Sequence, residues 1–352
     1  MKKFFALVLA LIMALSMVAC GAKEEPAPEK EEAPKQEAEA PAVEEKETYK
    51  IGVTSMTLKE AVYMFVCDAM KARAAELGNV EVEWVACEND AAVQMQQVEA
   101  YIQQGVDLIV IEPARSDACV NIISACNDAG IPVINLNAQI RGINVPYRSD
   151  SNSYQVGQMQ VEKFAEVFGT DEKAKVAVIG GSLGDECAET ITQAAEETIA
   201  KYSNMENVLT QMHQNWDRQL AMQTMEALLV QHPDIKAVFC NNDTMAHGCY
   251  KAAQNVGKEN DIYFFGADWD QDSAELILSG VENFMVVNKG AIEQGIVTVD
   301  MAMQIIKGEE VEYDEVLTTD DGEVMIKYSP MVLVTKDNIE EQVALKYPDL
   351  LK

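Results

Sequence analysis

From residue 49 onward, short apolar runs alternate with longer segments whose apolar positions recur at helical spacing. Lys50–Ser55 reads as a strand, and Lys59–Leu77 as a helix with Val62, Phe65, Val66, Met70 and Ala74 along one stripe. Val80–Ala86 and Ala91–Gln104 repeat the pair. Asp107–Ile111 is apolar throughout its inner positions, the pattern of a parallel strand covered on both faces, and Ser116–Ala129 follows as helix before Ile131–Leu136. These steps of roughly 25–30 residues predict right-handed βα crossovers.

The pattern then begins again. Strands are expected at 174–179, 206–212, 236–240, 261–266 and 283–287, with helices near 154–168, 185–201, 217–230, 243–256 and 271–279. Asp107–Glu112 and Ile235–Cys240 are alike, each a short apolar strand leading into a polar cluster and a helix. The fold class expected is α/β, with two doubly wound parallel-sheet lobes joined by a crossover hinge. Lobe one is placed at 49–150 plus 289–322 and lobe two at 151–288 plus 323–352, with crossings near 148–152, 287–290 and 318–328.

The first 48 residues follow neither period. Lys2 and Lys3 precede an apolar run from Phe4 to Val18, too short for a comfortable span, and Ala19 precedes Cys20. Residues 1–19 read as a signal peptide, and the approach to Cys20 resembles a bacterial lipobox, with Met17 in the usual Leu place. The resemblance implies lipidation of Cys20 by palmitate-type acyl chains and a cell-membrane location at the extracellular face. Residues 20–48 then form a tether. From 21 to 48 it holds ten Glu, four Lys and four Pro, cannot bury a core, and keeps itself extended by charge repulsion.

Charge narrows the partners. The net charge of −31 divides as +2 in the signal, −6 in the tether and −27 beyond, which excludes nucleic acid. Beyond Cys20 there are seven Cys, with no CxxC pair, and three His, so neither a metal site nor a cofactor is expected. The thiols are expected to be buried and free, which suggests a poorly oxidising niche.

In doubly wound sheets, ligands bind beyond the carboxyl ends of the strands. Those ends carry Met56–Glu60, Glu112–Arg115, Asn137–Gln139, Ser149–Asn152, Gly180–Asp185, Gln214–Arg218, Asn241–Asp243, Asp268–Asp270 and Asn288–Lys289. The set has no Gly-x-Ser-x-Gly elbow, P-loop or Gly-x-Gly-x-x-Gly; Gly180–Gly184 reads as a plain strand–helix turn. Asn, Asp and Glu pair well with neighbouring hydroxyls, and Trp216 and Trp269 offer flat faces to the C–H groups of a ring. Asp217 and Asp243 are expected as helix N-caps.

Four stretches carry a family resemblance: Gly105–Pro113, Asn127–Asn135, His232–Gly248 and Gly266–Asp268. On them, residues 49–340 resemble the type I periplasmic binding proteins, the ribose- and galactose-type sugar receptors of ABC importers. LacI-type repressors share the run from His232 to Gly248, but they begin with a helix-turn-helix where this chain has the lipobox and tether. The resemblance places the ligand on Glu60, Tyr63, Glu112, Asn137, Asn152, Trp216, Asn242, Asp268 and Asn288, with Lys289 as the alternative to Asn288 and Ser151 beside Asn152. The family's first-lobe Asp-Arg pair is here Asn137-Ala138, and the Arg after the sixth strand has no counterpart around Asp185–Ile191. The second lobe keeps its pattern and the first does not.

The implied function is an extracytoplasmic substrate-binding lipoprotein of an ABC importer. It would capture a sugar or related polyhydroxylated solute between its lobes and dock on an ABC permease. The first-lobe carboxylates leave room for an amino-sugar, polyol or similar cyclic solute. A monomer suffices, and a single-membrane, Gram-positive cell would need the anchor most. The alternatives are a receptor for a sensor kinase or chemoreceptor, or a secreted carbohydrate-active enzyme working through Glu60 and Glu112.

Overall fold

The computed structural model describes residues 46–58, 61–115 and 118–352. The expected signal peptide, Cys20, the tether as far as residue 45, and Glu60 lie outside the described residues.

The first half alternates as the periodicity requires: β1 (Tyr49–Ser55), α1 (Ala61–Leu77), β2 (Val80–Ala86), α2 (Ala91–Gln104), β3 (Leu108–Ile111), α3 (Val120–Asp128), β4 (Val133–Leu136) and β5 (Tyr147–Asp150). The second half runs α4 (Ser153–Phe168), β6 (Ala174–Gly180), α5 (Glu186–Ile199), β7 (Met205–Met212), α6 (Arg218–Gln231), β8 (Ile235–Cys240), α7 (Asp243–Asn255), β9 (Tyr263–Ala267), α8 (Gln271–Leu278) and β10 (Phe284–Asn288). The chain ends in α9 (Ala291–Lys307), β11 (Glu315–Thr319), β12 (Gly322–Tyr328), β13 (Val332–Val334) and α10 (Ile339–Lys346).

Two sheets result, ordered β11-β12-β5-β4-β3-β1-β2 and β13-β10-β9-β8-β6-β7. All neighbours pair in parallel except β11 with β12 and β10 with β13. Each sheet has an apolar core on both faces. Ile51, Val53, Leu108 and Val110 pack toward α1 and α9, whereas Ile109 and Ile111 pack toward α2 and α3. Phe264 and Val238 pack on one side of the second sheet, and Phe239 and Phe265 on the other.

The chain passes between the sheets at 151–152, 289–290 and 329–331. The expected division at 322 is corrected: β12 pairs with β5, so the chain leaves the first sheet only after Tyr328. The crossing expected near 318–328 begins instead with the tight turn between β11 and β12, where Thr319 pairs with Gly322. The three crossings are tied together. Ser329 donates its N–H to the Asp150 carbonyl at 2.8 Å and its hydroxyl to the Lys289 carbonyl at 2.8 Å. Gly290 has φ +70°, and a Cβ there would stand 2.2 Å from the Pro330 carbonyl oxygen, so only glycine fits.

Asn and Asp start most helices that leave the site end of the strands. Asp90, Asn152, Asp185, Asp217, Asn242 and Asp270 each accept an N–H from the first turn of the helix that follows. Asp217 therefore caps as expected, but Asp243 does not. Asn242 takes the cap of α7, and Asp243 turns inward to accept the Asp270 N–H at 2.8 Å.

Candidate functional site

The carboxyl ends of both sheets converge beside the crossings. On the first wall Glu112, at the end of β3, is 1% exposed. One of its oxygens accepts from the Asn137 amide at 2.9 Å. The Asn137 side-chain oxygen accepts in turn from Gln294 of α9 at 2.6 Å. Asn137 is left-handed, with φ 56°, and its backbone is fixed from both sides. Its N–H donates to the Ser149 carbonyl and its carbonyl accepts from Arg148 Nε at 2.7 Å. Both ends of the Asn137 amide are thus engaged, and the residue acts as a strut that orients Glu112. Tyr63 lies half-buried on the first turn of α1.

The second wall is made differently. Trp216 follows Asn215, both left-handed with φ of 54° and 60°, and its half-buried ring lies over Gly181. A Cβ on Gly181 would stand 2.5 Å from that ring, so the Gly180–Gly184 turn serves to seat an aromatic. Asp268 and Trp269 are also consecutive left-handed residues, with φ of 99° and 71°. The Asp268 N–H donates to the Val287 carbonyl at 3.0 Å, and its carboxylate lies 3.4 Å from Lys289 Nζ. Burial opposes the Lys289 charge, but the Cys187 sulfur, Asp268 and Asp150 outweigh it and raise its pKa above the ordinary value.

Three expectations change here. Trp269 was expected to show a flat face, but its ring is fully buried in the second core, because its left-handed φ turns it inward. Asn288 faces away: its amide donates to Gln342 at 3.2 Å and its oxygen accepts the Gly290 N–H. Successive strand residues point to opposite faces, so Lys289 is the one that reaches Asp268. Asn152 and Asn242 spend their side-chain oxygens on helix caps, which leaves only their amide N–H groups to turn toward a ligand.

Charge is concentrated at the crossings. Arg148 Nη2 lies 2.6 Å from Asp150, and Nη1 lies 3.7 Å from Glu186 of the second lobe. Burial pushes the Asp150 carboxyl up to about 6, against the opposing pull of Arg148 and Lys289. Glu186 also accepts the Gln139 N–H at 3.3 Å, so this side of the cleft is bridged. The other side is bridged by Phe65 of α1 and Tyr347, whose rings meet edge-on at 5.7 Å. Six of the seven described cysteines are buried; the half-buried one, Cys187, accepts from Ser153 at 3.3 Å beside Lys289.

One Ser/His/Asp meeting among the described residues has no relay geometry. Ser273 lies 2.9 Å and Asp270 3.5 Å from the same nitrogen of His247, Nε2, and Ser273 is fully buried. A nucleophile–base pair needs the acid on the other nitrogen and the hydroxyl open to substrate.

Known proteins show the same architecture. A solute-binding protein of an ABC transporter from Bacillus halodurans C-125, solved with bound myo-inositol, superposes with a TM-score of 0.70. It is 31% identical, over 86% of this chain and 99% of its own. The ribose import binding protein RbsB of Bacillus subtilis is 31% identical over 232 residues, covering 65% of this chain and 72% of its own length. The D-apiose import binding protein of Actinobacillus succinogenes is 32% identical over 216 residues, 60% of this chain and 67% of its own. The periplasmic binding protein domain matches residues 51–310, and with two α/β lobes of this topology the chain belongs to that family.

Proposed function

We propose that this protein is the extracytoplasmic solute receptor of an ABC importer and holds a sugar or cyclic polyol between its two lobes. What supports the reading is that Asp268 and Trp216 of the second lobe, Lys289 at a crossing and the bonded Glu112–Asn137 pair of the first all stand at strand carboxyl ends, beside three bonded crossings. Acceptors, an ammonium and an aromatic face together suit a ring bearing several hydroxyls. Relatives named for ribose and D-apiose, and a solved relative holding myo-inositol, support that class.

Closure about the crossings would bring both walls onto the solute and exclude water, which strengthens each polar contact. Ligand then stabilises the closed state because only that state contacts it from both sides. Tyr63, Asn152, Asn242 and, outside the described residues, Glu60 complete the proposed lining, while Asn288 supports α10 from behind. The closed form would dock on a permease as a monomer. Lipidation of Cys20 and the acidic tether would keep the receptor beside that partner at high local concentration, on the outer face of a Gram-positive membrane. Titration calorimetry with myo-inositol, D-ribose and D-apiose tests the class. Saturable binding of an unaltered solute is expected, and conversion of the solute would overturn the receptor reading.

A further inference from the structure

Asp268 and Trp269 occupy the left-handed region one after the other. Such a conformation is strained for a residue with a Cβ and persists only where its surroundings over-determine it. One restraint is the buried Trp269 ring, whose N–H finds no acceptor among the described residues. The other is the Trp269 carbonyl, which accepts from Lys346 Nζ at 2.7 Å and from the Tyr347 hydroxyl at 2.8 Å. Both donors come from the end of α10, about eighty positions further along the chain.

The same two side chains also reach the facing lobe. The Tyr347 ring meets Phe65 edge-on, and Lys346 Nζ stands 4.3 Å from the centre of the Phe65 ring. Phe65 lies on α1 and packs against the first-lobe core. One dipeptide therefore touches both the turn that aims Asp268 and the lobe that closes over it.

We propose that Lys346 and Tyr347 are positioning residues of the binding site. They hold the Asp268–Trp269 turn in its strained form and seat on Phe65 when the lobes close, so that closure and the aim of Asp268 stabilise each other. The proposal rests on the reading of the cleft as a solute site. When Phe65 withdraws, Lys346 loses the aromatic face over its ammonium and regains water, which weakens its hold on the carbonyl. Burial pushes the Lys346 pKa down to about 8, against the opposing pull of Asp243, Asp268 and Asp270 from the second lobe and Glu293 from the first.

Two substitutions separate the two halves of the device. Tyr347→Phe keeps the ring against Phe65 and removes a donor from the Trp269 carbonyl; Phe65→Leu keeps both donors and removes the aromatic seat. Hydrogen–deuterium exchange on the full chain is read at residues 267–271. Tyr347→Phe is expected to speed exchange there about fivefold, the effect of one lost hydrogen bond, with the rest of the second lobe unchanged. Phe65→Leu should leave ligand-free exchange at 267–271 unaltered and speed dissociation of myo-inositol or D-ribose about fivefold in stopped flow. Unchanged exchange at 267–271 in both Tyr347→Phe and Lys346→Met overturns the proposal, as does a rise spread over the whole lobe. If neither solute binds the unsubstituted protein, the solute reading fails while the exchange experiment still decides this one.

Discussion

The two walls of the cleft reach a fixed geometry by different means. The first wall is a hydrogen-bonded strut: Asn137, left-handed itself, links Glu112 to Gln294, and Arg148 and Ser149 pin its backbone. The second wall is a pair of strained turns, Asn215–Trp216 and Asp268–Trp269, held by packing of aromatic rings and by donors from α10. A polar network fails when one member is removed, because the others are left buried without partners. A strained turn fails by relaxing, which moves a side chain without unfolding the lobe. The first wall should therefore report substitutions as lost stability and the second as lost affinity.

The largest effect is expected from Asp268→Ala. It should weaken solute binding about 10–100-fold in titration calorimetry while moving the melting temperature little, because a charged hydrogen bond is lost at a half-buried position. Equal loss of affinity and stability would break the contrast. Asn137→Ala should do the opposite. Removing the strut leaves Glu112 without its amide donor and should lower folding stability by about 1–3 kcal/mol in urea unfolding. Gly181→Ala comes next. Its Cβ must displace the Trp216 ring, so affinity should fall about tenfold with a stability loss of about 1 kcal/mol.

The last effect is a dependence on pH and leaves stability at neutral pH as it is. Burial raises the Asp150 carboxyl from 3.8 to about 6 in the folded protein, so the folded state holds a proton that the unfolded chain has released. Between about pH 4 and pH 6 stability should fall as pH rises, by no more than about 3 kcal/mol, and Asp150→Asn should flatten that window. A slope of the opposite sign in urea midpoints would mean that Arg148 and Lys289 dominate burial at this site.

Most of the strand and helix order through residue 288 was legible, because apolar runs covered on both faces and 3.6-residue stripes are local signals. The C-terminal strands were not legible, because β11, β12 and β13 are largely half-exposed and their meaning lies in which sheet they join. The proposed site was drawn at the level of strand ends. Asp268 and Trp216 enter it from that rule and the family pattern, whereas the choice between Asn288 and Lys289 turned on one residue of strand phase. Trp269 misled because a positive φ reverses the side on which a ring falls. Gln294, Lys346 and Tyr347 left no signal, since each acts through a partner more than seventy residues away.

The central claim is that a polyhydroxylated solute binds between these walls. A thermal-shift screen of pentoses, hexoses, inositols and linear polyols tests it most directly, since a ligand that binds only the folded state raises the melting temperature. At least one member should raise it, and Trp216→Ala should abolish the rise. A screen in which no member shifts the melting temperature, or in which the shift survives Trp216→Ala unchanged, would contradict the claim.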